Sequence, residues 1–375
     1  MLFSIDREVL LENLNVLAKG IPSKTPLNAL KGIKINVLSD KIIMTTSNTN
    51  ISIQTIISDK SLNIKSTGDI VVPGMFLIDI VKKVNTPKIE MALIEEKIFI
   101  IKTDRSEFKL NIFDYEDYPE IQFIEENNPL KINSKVLSEI IKETIFTCST
   151  SEKRPILTGV NFKINEDKIT ATATDSFRLS QKITYLDFKY DQKNIVIPAS
   201  SLDELSKVID NFNDILDIYF ASNKVLFKFK NILFQTRLLE GNYPDTSKLI
   251  PSDFPMIIKF NREELLQALD RVSLLSPKDK DRNFNIISFN LREDKVVEIT
   301  SKNTEIGNAL EEISPLEIVG PRIKIAFSSR YLIEILKVYN SPEITLNFTG
   351  DVKPFIIKSE LDKNLAHLIL PVKID

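Results

Sequence analysis

The same order of apolar and polar positions occurs three times along the chain. Each time, a short stretch with alternating apolar residues is followed by apolar residues at helical spacing, and a short polar residue separates the two. Alternation predicts a strand, and the helical spacing predicts a helix with one buried face. The three segments are FSIDREVLLENL from Phe3, LKINSKVLSEII from Leu130 and IKFNREELLQAL from Ile258. The separating residues, Asp6, Asn133 and Asn261, are of the types that cap helix N-termini.

A predicted β-hairpin follows each of these segments. The three sequences are IKINVLSDKIIMTT, VNFKINEDKITATA and ISFNLREDKVVEIT, and each predicted turn ends in Asp-Lys. The aspartates are Asp40, Asp167 and Asp294, and both intervals between them are 127 residues long. Equal spacing across otherwise different sequences indicates an internal repeat of structure.

The second half of each repeat also begins with a strand followed by a helix. The sequences are IVVPGMFLIDIVKKV, NIVIPASSLDELSKVID and IKIAFSSRYLIEILKVY, and short alternating strands come after them. Apolar residues at i, i+3, i+4 and i+7 are Leu77, Ile80, Val81 and Val84 in the first helix and Leu332, Ile335, Leu336 and Tyr339 in the third. Each repeat therefore contains two strand-helix-strands modules. Helices with one apolar face should pack on one side of antiparallel sheets, which is an α+β architecture.

Two stretches mark the boundaries between repeats. The acidic, proline-containing stretch from Asp114 to Pro129 separates the first repeat from the second, and residues 242–255 separate the second from the third. A chain of 375 residues is too long for one ordinary core. We therefore predict three domains, residues 1–126, 127–253 and 254–375.

Composition narrows the class of protein. The chain is 43% apolar and 27% charged, as expected of a folded soluble protein, and its net charge of -3 argues against a strongly basic nucleic-acid surface. No apolar run is long enough to span a bilayer, and the first residues are unlike a signal peptide, so we expect no membrane association. A single cysteine, Cys148, allows no internal disulfide and favours a reducing cytoplasm.

The chain lacks the residue patterns of common active sites. Its nine glycines form neither a dinucleotide-binding nor a phosphate-binding loop, and one histidine and one cysteine cannot build an ordinary zinc site. We expect no catalytic residue, cofactor or metal, and we interpret His367 as an ordinary strand residue. Two alternatives remain: a monomeric repeat scaffold, and a metal-dependent nuclease. The nuclease would use the acids of the first boundary stretch, Asp114, Glu116, Asp117 and Glu120, which are better explained as a solvated loop.

Four motifs resemble one family. ATDSFRLS (Ala173 to Ser180), NIVIPASSLDEL, LLEGNYPDTSKLIP and LILPVKI are similar to segments of the bacterial DNA polymerase III beta subunit, the beta sliding clamp family, and the resemblance covers the whole chain. It implies the DNA clamp fold, with helices lining a ring and antiparallel sheets outside. The ring would be a head-to-tail homodimer around double-stranded DNA. It would tether the polymerase III alpha subunit, the clamp loader and other proteins with a clamp-binding motif.

The same resemblance implies three sets of residues. Positions matching the family's partner-binding cleft are Leu157, Thr174, Ser176, Phe177, Arg178, Leu179, Pro244, Leu249, Leu368, Leu370, Pro371, Val372, Lys373 and Ile374. Ser176 and Phe177 stand where glycine and histidine or tyrosine are common in the family. DNA-facing positions are Lys24, Ser151 and Arg154. At the dimer interface, Phe108 and Leu110 of one copy would meet Leu274 and Leu275 of the other.

Overall fold

The computed structural model of the chain describes residues 1–95, 97–125, 128–210, 212–276 and 285–373. The chain divides into two compact units, residues 1–138 with 200–238 and residues 139–199 with 239–375. Each unit combines helices with antiparallel sheets, so the α+β prediction is confirmed. In the part of the chain that is described, no helix is long and apolar enough to cross a membrane.

The described residues contain six α-helices, at the positions that the apolar periodicity predicts. They are α1 (Arg7–Leu17), α2 (Gly74–Lys83), α3 (Ser134–Thr144), α4 (Ala199–Ile209), α5 (Arg262–Ser273) and α6 (Ser329–Val338). The buried face of α6 includes Leu332, Ile335 and Leu336, as predicted. In α2 the buried face includes Ile78, whereas Ile80 is only half-buried, so the apolar stripe there lies slightly to one side of its predicted position.

The predicted caps behave differently at α1, α3 and α5. The side-chain oxygen of Asn261 accepts hydrogen bonds from the amides two and three residues later, at 3.0 and 3.1 Å, and that of Asn133 accepts one at 2.9 Å. Asp6 makes no such bond, so the prediction of a side-chain cap is wrong there. The amide of Arg7 donates to the carbonyl of Pro87 at 2.8 Å, and the first amides of α3 and α5 donate in the same way to the carbonyls of Asp214 and Pro342, so this backbone bond is common to all three helices.

The strands are short, apart from two in the second repeat. They are β1 (Leu2–Asp6), β2 (Gly32–Val37), β3 (Ile42–Ser47), β4 (Ile51–Ile57), β5 (Asn63–Ser66), β6 (Gly68–Pro73), β7 (Lys88–Ile94), β8 (Ile98–Lys102), β9 (Glu107–Asn111), β10 (Leu130–Asn133), β11 (Gly159–Thr174), β12 (Arg178–Pro198), β13 (Ile215–Phe220), β14 (Lys224–Phe229), β15 (Ile232–Arg237), β16 (Met256–Asn261), β17 (Ile286–Leu291), β18 (Val297–Asn303), β19 (Gly307–Ile313), β20 (Glu317–Val319), β21 (Lys324–Ser328), β22 (Glu343–Phe348), β23 (Phe355–Lys358) and β24 (Leu365–Ile369).

Each unit contains two sheets, and one sheet in each unit combines strands from two repeats. In the first unit the strand orders are β5-β1-β7-β8-β9 and β10-β13-β14-β15-β4-β3-β2-β6. In the second unit they are β11-β12-β24-β23-β22-β16-β20 and β19-β18-β17-β21. The pairs β4–β15 and β12–β24 therefore join successive repeats through hydrogen bonds between strand edges.

The repeat in the sequence is also a repeat in strand register. Gly32 pairs with Pro73, Gly159 with Pro198 and Ile286 with Ser328, and the first members of these pairs are 127 residues apart. Two of the predicted hairpins are confirmed as β2–β3 and β17–β18.

The second repeat differs from its predicted hairpin. Residues 159–174 form one long strand in which Glu166 has a φ of 54° and the register shifts. Residues 159–164 pair with 193–198, and residues 168–174 pair with 179–185. Glu166, in the left-handed backbone conformation, changes the direction of the chain, while the residues on both sides of it stay paired with β12. The two predicted strands of the hairpin are therefore one continuous strand.

Phenylalanines fill the core between α5, α6 and the sheets of the third repeat. The ring centroid of Phe289 lies 6.1 Å from those of Phe260 and Phe327 and 5.9 Å from that of Phe348. All four are fully buried. Tilted contacts at these distances are favourable for aromatic rings and hold the helices against the strands.

Candidate functional site

A tight turn between β11 and β12 forms one wall of the candidate site. The hydroxyl of Thr174 donates to the carbonyl of Arg178 at 2.6 Å, and a carboxylate oxygen of Asp175 accepts from the amides of Phe177 and Arg178 at 2.9 and 3.0 Å. Ser176 has a φ of 78°, a conformation that favours glycine. These bonds fix the turn and leave the Phe177 side chain 37% exposed.

Arg178 is buried, and its guanidinium holds the turn to α6. It donates to Asp175 at 3.0 Å, to the carbonyl of Phe146 at 2.6 Å and to Glu334, and it lies 4.3 Å from the ring centroid of Tyr331. Burial is the largest single effect on Glu334 and would raise its pKa, but the guanidinium groups of Arg178 and Arg330 together keep that pKa below its usual value. Arg178 therefore stabilises the turn from within, and the partners that do this, Asp175 and Glu334, were not among the predicted site residues.

The C-terminal strand forms the opposite wall. Leu368 on β24 pairs with Leu179 on β12, and both side chains are buried in one apolar cluster. The amide of Leu370 donates to the carbonyl of Phe177 at 2.9 Å, and the amide of Val372 donates to a carbonyl of β21 at 2.7 Å. The chain after β24 is thus fixed beside the 174–178 turn.

A third segment completes the site. Ile250 and Phe254 pack against the cluster that contains Leu179 and Leu368, which brings residues 249–254 next to both walls. We call the surface formed by residues 174–179, 244–249 and 368–373 the recognition groove. Leu179 and Leu368 form its buried floor. Among the predicted site residues, Leu157, Thr174, Arg178, Leu179 and Leu368 are buried, Ser176, Phe177, Leu249 and Lys373 are exposed, and Pro244, Leu370, Pro371 and Val372 are half-buried. The predicted member Ile374 lies outside the described residues.

His367 lies in β24 behind the groove and is fully buried, in keeping with its interpretation as a strand residue. Its Nδ1 is 2.7 Å from the Ser180 hydroxyl, and its Nε2 has no hydrogen-bond partner among the described residues. Burial lowers the pKa of His367 to about 3, and the positive charges of Arg178 and Lys182 add to this shift. The ring is therefore neutral at physiological pH and serves as packing.

The predicted DNA-facing residues are exposed on loops at matching positions in the repeat. Lys24 precedes the short 3-10 helix at 28–31, and Ser151 and Arg154 precede the one at 155–158. Lys24 and Ser151 are 127 residues apart, which is the repeat interval. Arg154 donates to the Ser176 hydroxyl at 3.2 Å, so its loop reaches the recognition groove.

The predicted dimer residues lie on an edge strand and on the segment that follows α5. Phe108 and Leu110 are half-buried on β9, which is the edge strand of its sheet. Leu274 and Leu275 follow α5, and Leu274 is 79% exposed. Leu275 is half-buried.

The acids considered for a nuclease do not form a metal site. Asp114 uses a carboxylate oxygen to accept the amide of Glu116 at 3.0 Å, as in an ordinary turn. Across the described ranges, no group of three or more histidine, cysteine, aspartate or glutamate side chains is placed to hold a metal ion.

Three repeats of helices and antiparallel sheets, joined edge to edge, define the fold of a DNA sliding clamp. Family models of the DNA polymerase III beta subunit match the chain throughout: the N-terminal domain at residues 1–122, the central domain at 131–245 and the C-terminal domain at 247–373. The chain belongs to the DNA polymerase III beta subunit family.

Individual relatives agree with this assignment. The beta sliding clamp of Bacillus subtilis (strain 168) is 39% identical over 379 residues and that of Staphylococcus aureus (strain Mu50) is 37% identical over 378, with 100% of this chain covered and 100% and 99% of those proteins. The crystal structure of the Bacillus subtilis sliding clamp matches with a TM-score of 0.94 at 38% identity. The polymerase III beta chain of Streptococcus pneumoniae matches with 0.95 at 38%, and both structures are covered completely, as is this chain.

The function follows from family membership. The chain is a sliding clamp, a non-catalytic processivity subunit of a DNA polymerase, and the predicted family, function and absence of enzymatic activity are confirmed. The family implies a ring that encircles DNA and binds polymerase and other proteins. Neither the nuclease nor the scaffold alternative is favoured.

Proposed function

We propose that two copies of the chain close a head-to-tail ring around duplex DNA in the cytoplasm. Each copy would contribute three domains, residues 1–126, 127–253 and 254–375. The recognition groove would hold the clamp-binding segments of the polymerase III alpha subunit, the clamp loader and other replication or repair proteins. Lys24, Ser151 and Arg154 would face the DNA.

The proposed dimer is supported by the way strands of successive repeats pair at their edges. Two rows of paired residues run across the sheets of the second and third repeats, and each row continues onto a strand of the preceding repeat. The rows are Leu130–Ile218–Phe227–Phe234–Ile53 and Ile258–Leu346–Ile357–His367–Ser180. The equivalent row of the first repeat is Phe3–Met91–Ile101–Phe108, and Phe108 is on the free edge strand β9.

An edge strand of the third repeat could pair with β9 and so continue the row of the first repeat. Ile53 and Ser180 pair within their own repeats with Thr46 and Ala173. The counterpart of Thr46 in the third repeat is Ser301, because its hydroxyl donates to a carbonyl at the end of α5 as that of Thr46 donates to a carbonyl at the end of α1. Ser301 pairs with Ala309, on the edge strand β19. We expect Phe108 of one copy to lie opposite Ala309 of the other. This contact uses different surfaces of the two copies and closes only with a second identical contact, which gives a two-copy ring. Leu274 and Leu275 would then cover the Phe108–Leu110 side chains.

Cross-linking tests the register directly. The expected pairing places Lys109 opposite Asn308 of the other copy, so Lys109→Cys/Asn308→Cys should form intermolecular disulfides on oxidation. Lys109→Cys/Leu310→Cys shifts one cysteine by two residues on the same strand and should cross-link poorly. Burial raises the pKa of the native Cys148 thiol to about 12, so it contributes little background. Equal cross-linking of both variants would refute the register, and a monomer in light scattering would refute the ring.

Retention on DNA tests encirclement. The net charge of -3 gives little general attraction to phosphate, so the ring should be held by topology. Clamp loaded onto nicked circular DNA should remain bound when salt is raised from about 50 to 200 mM, conditions that weaken a site-binding protein by orders of magnitude. It should be released when the circle is cut once. Equal retention on circular and linear DNA would indicate site binding and contradict the proposal.

Peptide binding tests the recognition groove. Its apolar floor and the exposed Phe177 and Leu249 suit leucine or phenylalanine anchors of a short extended peptide. Phe177→Asp should weaken a labelled Leu-Phe-containing peptide more than about tenfold, or 1.4 kcal/mol. Phe188→Asp changes a phenylalanine that is 64% exposed on β12 outside the groove and should have no effect. Equal losses from both variants would contradict this location.

A further inference from the structure

A pocket of about 350 Å³ lies within the unit formed by residues 1–138 and 200–238. It is formed by the turn after β3, the segment 119–122 and one end of the β14–β15 hairpin. Its volume is in the range of small binding sites. We call it the polar pocket, after Asn50, Ser52, Glu120, Lys224, Gln235 and Arg237, which line it.

The polar pocket is the counterpart of the recognition groove in the preceding repeat. Ser52 on β4 pairs with Gln235 on β15, just as Leu179 on β12 pairs with Leu368 on β24. These are the two places where strands of successive repeats join. The walls of both sites are therefore equivalent in backbone structure.

The turns above the two sites are also equivalent. The side-chain oxygen of Asn48 accepts hydrogen bonds from the amides two and three residues later, at 2.9 and 2.8 Å, as that of Asp175 does in the groove. The amide of Arg237 donates to the carbonyl of Asn50 at 3.1 Å, which matches the bond from Leu370 to the carbonyl before Arg178. The same scaffold is thus present twice.

The side chains on this scaffold differ in chemistry. Where the groove has Phe177, Leu179, Leu368 and Leu370, the polar pocket has Asn50, Ser52, Gln235 and Arg237. The Gln235 amide group donates to the Gln122 carbonyl at 3.0 Å and accepts from the Ile124 amide at 3.3 Å, so this wall is fixed in place. The pocket is preformed, but it presents hydrogen-bonding groups in place of apolar anchors.

Two positive charges lie side by side at this pocket. Lys224 and Arg237 are direct partners across β14 and β15, and both line the pocket. Like charges in this position repel each other. Within the described residues neither forms an ion pair, and the acid among the lining residues, Glu120, is itself exposed. A carboxylate bound between Lys224 and Arg237 would remove the repulsion through charge-assisted hydrogen bonds.

We propose that the polar pocket binds an acidic segment of an extended peptide, with a carboxylate between Lys224 and Arg237. The inference rests on the proposed role of the recognition groove in holding an extended peptide, because the shared scaffold is what points to a peptide as the ligand. Asn50 and Ser52 would form further hydrogen bonds with the peptide, as donors or as acceptors. The two sites would then select segments of opposite character, one apolar and one acidic.

Fluorescence anisotropy with the full chain tests this inference. The probes are labelled Glu-Asp-Ser-Asp-Glu and its neutral counterpart Gln-Asn-Ser-Asn-Gln. The acidic peptide should bind the native chain, and Lys224→Gln/Arg237→Gln should weaken it by about tenfold or more, since two charge-assisted bonds are lost. The control Lys60→Gln/Lys82→Gln removes two exposed charges of the same unit outside the pocket and should leave binding unchanged.

Three results would overturn the inference. The first is that the neutral peptide binds as tightly as the acidic one, and the second is that the control variant loses as much affinity as Lys224→Gln/Arg237→Gln. The third is that Lys224→Gln/Arg237→Gln weakens binding of a short DNA duplex but leaves binding of the acidic peptide unchanged. Phe177→Asp separates the two sites, because it should weaken binding of the Leu-Phe peptide by more than about tenfold and leave the acidic peptide unaffected. Failure of the Leu-Phe peptide alone would refute the recognition groove, and failure of the acidic peptide alone would refute the polar pocket.

Discussion

Acidification should destabilise the protein through His367. Its pKa is about 3 in the folded chain, against an ordinary value of 6.5, because the ring is fully buried and lies near Arg178 and Lys182. Below pH 6.5 the unfolded chain takes up a proton that the folded chain cannot bind until the pH nears 3. Stability is therefore complete above pH 6.5 and falls as the pH falls through this window. At about 1.4 kcal/mol per pH unit, the free energy of unfolding should drop by roughly 2–3 kcal/mol between pH 6.5 and 4.5.

A phenylalanine in place of His367 should remove this dependence. Phe234 occupies the equivalent position in the row of the preceding repeat, so the aromatic side chain suits the place. Ser180→Ala/His367→Phe also avoids leaving the Ser180 hydroxyl without its partner, and Ser180→Ala alone retains the titrating ring. Urea unfolding followed by circular dichroism at pH 6.5 and 4.5 should show the drop in the free energy of unfolding in the native chain and in Ser180→Ala. In the double variant the drop should be smaller by about 2–3 kcal/mol. Parallel pH dependence of all three proteins would refute the reasoning.

Three further predictions concern stability measured by urea unfolding. Arg178→Ala should cost about 3–5 kcal/mol, because it removes a buried guanidinium from the largely buried Asp175 and from Glu334, which keeps only Arg330 as an ion-pair partner, and a smaller loss would mean that water replaces the guanidinium. Ser176→Gly should stabilise the protein by about 1 kcal/mol, because glycine tolerates the φ of 78°, and a loss would show that the hydrogen bond from Arg154 matters more. Asn261→Ala should cost about 1 kcal/mol, and Asp6→Ala less than about 0.5, because Asn261 alone of the two makes a side-chain cap. Equal costs would contradict the capping difference.

The sequence by itself determined the repeat, the helices and the fold class. Periodicity is a local property, so the apolar stripe of α6 and the hairpin at Asp40 could be predicted from neighbouring residues alone. The motif ATDSFRLS also pointed to Thr174 and Arg178 as candidate site positions, through its resemblance to the family. Together with the lack of catalytic groups, these features were sufficient for the family.

Only the tertiary structure decided which residues meet across long separations. The ion pair between Arg178 and Glu334 joins residues 156 positions apart, and nothing in the sequence near either residue indicates it. The division of the recognition groove into a buried floor at Leu368 and an exposed rim at Phe177 has the same origin, because both residues belong to apolar stretches. The first amide of α1, on Arg7, donates to the carbonyl of Pro87, which lies 80 residues later in the sequence, and no pattern near either residue indicates that contact. Burial and long-range hydrogen bonds depend on how strands of successive repeats pair, and that pairing is settled by the free energy of the whole folded chain rather than by any local pattern.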